Sequence, residues 1–144
     1  MKPLLLLSLL LLAAPHALAR SVEVCPALPP GSGLEWTYSE GPDFDVCRAS
    51  TPGSETIVFG IYLGNHPSFN PDRSNRASKG KVAGRRVTWY RQEPGDSDSA
   101  FSRQTLLTID RKWGYVAHIW VAADTEQQLL ERLSVLERIV FKAS

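Results

Sequence analysis

Sulfur and imidazole are scarce in this chain: two cysteines, three histidines and a single methionine, Met1. No CxxC, HxH or HExxH spacing occurs among them, so the usual frameworks of a zinc centre or a thiol redox couple are missing and no metal ligands are assigned. A serine elbow and a phosphate-cradling glycine loop are also missing, and no carboxylate pair stands in a recognisable glycine-flanked turn. These absences remove the common signatures of hydrolases and nucleotide enzymes, although glycosidase carboxylates carry no local motif. No cofactor is indicated. Charge of one sign is lacking too: 16 Lys and Arg stand against 15 Asp and Glu, so the field of the whole molecule favours no particular partner. Beyond residue 14 there is no apolar run of membrane-spanning length, and the remainder holds no internal repeat or low-complexity segment.

What is present begins with Lys2 and the apolar run Leu4–Ala14, broken only by Ser8. That run is short for a bilayer, and Ala17-Leu18-Ala19 offers the small-x-small pattern of a signal-peptidase site. Residues 1–19 therefore read as a cleavable signal peptide, with cleavage after Ala19. Cys25 lies too far from Arg20 for a lipoprotein anchor, so the expected product is soluble, periplasmic or secreted. The 125 residues that remain of the 144 suit one domain with one core. In an oxidising compartment Cys25 and Cys47 are expected to form a disulfide, contributing about 3 kcal/mol through loop closure. It would pin a Pro/Gly-rich arm, residues 20–33, to a single domain spanning 34–144.

Alternating and β-branched patterns mark strands at Leu34–Tyr38, Phe44–Ser50 and Thr56–Gly64, the last apolar enough to be buried on both faces. Pro67, Asn70-Pro71-Asp72 and Ser74-Asn75 interrupt the next stretch. Lys81–Glu93 reads as one strand, with Val87, Trp89 and Arg91 on one face and Arg86, Thr88 and Tyr90 on the other. Pro94–Ser99 is a turn, Ala100–Arg111 a strand, Trp113-Gly114 a tight corner and Tyr115–Ala123 a further strand, most simply joined as a meander. Asp124 is placed to cap a helix from Thr125, with Gln127 completing a capping box. Leu129, Leu130, Leu133, Leu136, Ile139 and Val140 recur along it at helical spacing up to Phe141. The expected architecture is α+β: an antiparallel β-sheet of five to six strands covered by a C-terminal α-helix, with one N-terminal disulfide.

The order of a strand ending in a Pro-rich loop, a meander, the strand "YVAHIWVAA" and the closing helix "DTEQQLLERLSVLERIVF" resembles the PsbP-like α+β sandwich over residues 56–141. That resemblance implies a fold and suggests an accessory or binding role without catalysis. The disulfide arm is not part of it, and no functional residue is carried over.

Three features offer chemistry. His66 can be a general base with Ser68 and Asp72 nearby, a metal ligand with His118 and Asp43, Asp45 or Asp72, or simply the tip of a turn between Asn65 and Pro67. His118 reads as a hydrogen-bonded sheet histidine or a site residue. Second, Arg73, Arg76, Lys79, Lys81, Arg85, Arg86 and Arg91 put seven cations into nineteen residues with no acid before Glu93. Upstream, Glu35, Glu40, Asp43, Asp45 and Glu55 form an acidic counterpart, which either neutralises the basic run across the sheet or leaves it free for an anionic partner. Third, Trp89, Trp113 and Trp120 with Tyr62, Tyr90 and Tyr115 either fill a core or line a groove for sugar rings or peptide. Trp113 is the one expected at the surface, beside Arg111 and Lys112, as an interface anchor.

The expectation is an exported, non-catalytic binding protein of the bacterial periplasm, an inhibitor or immunity-type partner of an envelope-acting enzyme. Its surface would be the loop Gly64–Lys79, projecting from the sheet, with Arg85 and Arg86. The binding residues assigned on this basis are Asn65, His66, Phe69, Arg73, Arg76, Lys79, Arg85, Arg86 and Trp113. The partner is expected to be a protein with an acidic surface; nucleic acid is not expected, since the basic run matches no nucleic-acid module. An accessory factor of an envelope complex, or a carrier of a small ligand between sheet and helix, is the alternative, and a small hydrolase comes third.

Overall fold

The computed structural model describes residues 23–92 and 100–142. The expected signal peptide and its cleavage site, the start of the arm and the turn Pro94–Ser99 lie outside the described residues. Seven strands are present: β1 (Glu35–Glu40), β2 (Phe44–Ser50), β3 (Phe59–Gly64), β4 (Arg76–Val82), β5 (Arg85–Arg91), β6 (Arg103–Asp110) and β7 (Tyr115–Val121), followed by helix α1 (Glu126–Glu137). The count exceeds the five to six expected because Lys81–Glu93 is not one strand. Its first residues end β4, and a two-residue turn at Ala83-Gly84 reverses the chain into β5. Both turn residues have positive φ, 50° and 70°, as a primed hairpin turn requires. Alanine is an unusual choice there, but the two turn N–H groups donate to the Leu136 and Glu137 carbonyls at 3.0 and 2.9 Å, which caps the end of α1. A tertiary contact thus supports a turn that local chemistry would not announce.

Every pairing is antiparallel, and the strand order is β1-β2-β3-β7-β6-β5-β4. The expected single meander is therefore two, β1–β3 and β4–β7, and the chain leaving β3 crosses to the far edge before returning. Alternation sorts the side chains onto two faces. One face carries Phe59 and Ile61 from β3, Ile119 and Val121 from β7, Leu107 from β6, Trp89 from β5 and Val82 from β4, all buried. Leu129 and Leu136 of α1 and the following Ile139 close over this face. Burying each such side chain contributes about 1.5–3 kcal/mol.

The helix differs from expectation at both ends. Thr125, not Asp124, is the N-cap, accepting from the Gln128 N–H at 3.1 Å, while the Gln128 side chain accepts from the Asp124 N–H at 2.9 Å. At the other end α1 stops at Glu137, and Val140 instead pairs with Ala27 of the arm in a short antiparallel bridge. Leu130 and Val140, counted on the apolar face by spacing, are exposed. The arm is held as expected: Cys25 and Cys47 form the disulfide, both are buried, and the Trp36 indole donates to the Pro26 carbonyl at 2.7 Å. No helix among the described residues is long and apolar enough to cross a membrane.

Candidate functional site

The basic run folds into the β4–β5 hairpin at one edge of the sheet. Lys79 pairs with Thr88 and Lys81 with Arg86, so alternation brings three cations and a hydroxyl onto one face. They line a shallow concavity of about 550 Å³. Lys81 opposite Arg86 is a like-charge pair, which destabilises a hairpin. The only ion pair among the described residues joins Lys81 to Glu137 at 4.0 Å, half-exposed at both ends. The acidic strands β1 and β2 cannot neutralise this hairpin, because strand order sends them to the opposite edge. Six strand spacings separate β1 from β4, about 29 Å, several times the Debye length of about 8 Å at physiological salt. Sequence-adjacent blocks of opposite charge thus become two poles of one sheet.

The face opposite α1 has no second layer of secondary structure among the described residues. One row of paired positions runs across it: Thr37, Arg48, Gly60, Trp120, Gln104, Tyr90 and Arg76. Gly60 is there for a steric reason, since a Cβ at that position would overlap the Trp120 ring. Tyr62 overlies Gly64 in the same way and packs against Phe44, with ring centroids 5.3 Å apart. The segment joining β3 to β4 lies over this face as a strap, which corrects the expectation of a projecting loop. Phe69 stacks on His118 at 5.2 Å and meets Tyr90 edge-on at 5.6 Å. Further, the strand register places Arg76 and Lys79 in β4 and not in a loop.

The nine assigned residues divide accordingly. Arg76, Lys79 and Arg86 share the hairpin. Arg85 is tied down, donating to the Thr108 carbonyl at 2.6 Å. Asn65, His66, Phe69 and Arg73 belong to the strap, with Arg73 in a short 3-10 turn capped by Asp72. Trp113 is 67 % exposed at the β6–β7 corner, with Lys112 Nζ 5.1 Å above its ring. The Asn65 side chain donates to the Trp113 carbonyl at 2.6 Å, so strap and corner touch although 48 residues apart in sequence. Beside Trp113, at an uncovered end of the core, Leu63, Ile109, Tyr115, Phe141 and Lys142 line an apolar pocket of about 370 Å³.

The histidines are placed differently. His66 is exposed, its backbone N–H donating to the Tyr62 hydroxyl at 3.1 Å. Asp72, offered by the sequence as its orienting carboxylate, accepts from the Ser74 N–H and hydroxyl, both at 2.8 Å, and these bonds hold its carboxyl below the usual range. His118 is 9 % exposed, and burial pushes its pKa down to about 4. Its Nε2 lies 3.1 Å from Gln104 Oε1, which in the neutral ring places the proton on Nε2. Among the described residues no three His, Cys, Asp or Glu side chains gather in a metal-holding group.

Sequence reasoning counted Lys81 in the basic run and Trp120 among the aromatics without assigning either to the binding surface, and it did not single out Thr88, Arg48 or Gln104 as site residues. The alternation of Arg86, Thr88 and Tyr90 was a usable signal that these three share one face of β5, though not for the reversal at Ala83-Gly84. Nothing local links Gly60 to Trp120. Comparison of the chain with protein-family models, curated proteins and solved structures finds no match.

Proposed function

We propose that the protein is an exported, non-catalytic binding protein whose β4–β5 hairpin docks on the acidic surface of a protein partner in the cell envelope. An inhibitor or immunity-type partner of an envelope-acting enzyme is the class that suits a small, disulfide-held sheet with a cationic edge. One observation carries the reading: Lys79, Lys81 and Arg86 converge on one face of a hairpin whose acidic counterpart sits at the other edge of the sheet. Like charges held together on a rigid edge are costly alone and gain most when an anionic surface meets them. The resemblance of the element order to a PsbP-like sandwich, read from the sequence, implies a binding or accessory role in the same direction.

Capture from a periplasmic extract by the mature chain, repeated with Lys79→Glu/Arg86→Glu, tests this. The wild type should retain a partner that is released as salt rises, and the double variant should not retain it. An identical set of captured proteins would sink the reading. Arg85 is left alone because it supports the sheet through Thr108.

A second reading, carriage of a small apolar ligand, is favoured by the pocket beside Trp113. It requires that an apolar fluorophore bind the wild type and be lost from Leu63→Trp, which fills the pocket.

A further inference from the structure

We infer that the open sheet face carries a saccharide subsite centred on Trp120, selective for a pyranose bearing a carboxylate. This goes beyond the hairpin reading and rests on different residues. The Trp120 ring lies over Gly60, where any larger residue would lift it off the sheet, and it remains part-exposed. A flat indole seated in this way presents a π-face, the complement of the C–H face of a sugar ring.

The surroundings narrow the ligand further. Trp120 stands on β7, which is hydrogen-bonded on both sides by β3 and β6. No backbone donors or acceptors are left there for an added peptide strand, so a ligand must bind through ring faces and side chains. Arg48 and Gln104 flank the ring in the same row, with Ser39 on the neighbouring row accepting from Arg48 Nη1 at 2.9 Å. Gln104 uses its carbonyl oxygen on His118, which leaves its amide hydrogens as donors. Arg48 likewise keeps guanidinium donors beyond the one used on Ser39, and guanidinium matches carboxylate in a two-pronged geometry.

Charge selects an acidic sugar over a neutral one. By strand register the open face carries Arg48, Arg76, Lys79, Lys81 and Arg86, against Glu35 at the β1 edge. Of these cations Arg48 stands nearest Trp120, two strands away in the same row, where its guanidinium can meet a carboxylate on a sugar seated on the ring.

Isothermal titration of the mature protein with trigalacturonate, cellotriose, oligo-glutamate and a short single-stranded oligodeoxynucleotide tests the assignment. Trigalacturonate is expected to bind most tightly of the four. Trp120→Ala should weaken it about tenfold, from loss of the stacking surface. Arg48→Gln should weaken it about fivefold and reduce the preference over cellotriose. Trp120→Phe, which keeps a ring over Gly60, should retain most of the affinity, and Gly60→Ala should lose it without removing a donor. Absence of trigalacturonate binding by the folded wild type, or unchanged affinity in folded Trp120→Ala, would overturn the inference. So would binding of oligo-glutamate or the oligonucleotide as tight as that of the uronate. The two proposals fail separately: Lys79→Glu/Arg86→Glu removes the captured protein partner but leaves the Trp120 dependence of saccharide binding in place.

Discussion

The two faces of this sheet use the same seven strands and bury themselves by different means. Under α1, Trp89, Phe59, Ile61 and Leu136 are fully enclosed, and aliphatic and aromatic groups from strand and helix interlock. On the open face the cover comes from the sheet's own rings, with Trp120 seated on Gly60, Tyr62 on Gly64, and Phe69 of the strap on His118. A single twelve-residue helix contacts mainly β4 and β7 and cannot shield both sides of seven strands. Glycine-seated rings protect the second side without a second layer, and they leave π-faces and polar groups near the surface. One face thus serves stability, and the other is the face on which the proposed recognition residues stand.

The largest test of this contrast is a pair of tryptophans. Trp89→Ala, beneath α1, should cost about 3–5 kcal/mol, whereas Trp120→Ala on the part-exposed face should cost about 1–2 kcal/mol. Urea unfolding followed by far-UV circular dichroism measures both, and equal costs would erase the distinction between the faces. Acid sharpens it next. His118 is neutral and buried in the native state, with a pKa near 4 against 6.5 in the unfolded chain, so the unfolded state binds the extra proton between those values. Its contribution is fully present above about pH 6.5 and is lost as pH falls towards 4, roughly 2 kcal/mol after allowing for partial access to solvent. The drop in urea midpoint between pH 7.5 and 4.5 should therefore be smaller in His118→Gln than in the wild type; parallel pH profiles would show that the ring is not desolvated. The smallest effect is expected at the helix–hairpin ion pair. Glu137→Ala should change stability by less than about 0.5 kcal/mol, because the pair is 4.0 Å apart with side chains 53 % and 51 % exposed. A loss beyond about 1 kcal/mol would mean that charge, and not the Ala83 and Gly84 N–H bonds, holds that corner.

Much of the fold was legible where local chemistry and tertiary placement agree. The limits of β2 and the start of β7 follow from alternation, Cys25–Cys47 follows from cysteine scarcity together with the expected export, and the exposed Trp113 follows from its turn. The misses lie where a distant element substitutes for a local signal. Ala83-Gly84 turns because α1 offers carbonyls to its N–H groups, and Val140 leaves the helix because Ala27 pairs with it. Phe69 looked like part of a free loop because its partners, His118 and Tyr90, stand on β7 and β5.

The candidate surfaces divide along the same line. Composition and spacing by themselves determined an antiparallel sheet with a C-terminal helix, a disulfide-held arm and a segment of seven cations without an intervening acid. These depend on residue type and on neighbours a few positions away. Tertiary structure alone decided that the acidic and basic blocks would be poles and not partners, because β3 pairs with β7 and forces β4 to the far edge. It also decided that Gly60 would seat Trp120, since strand register brings together residues sixty positions apart. Register is a property of the assembled sheet, set by which faces must be buried, and no local pattern encodes it.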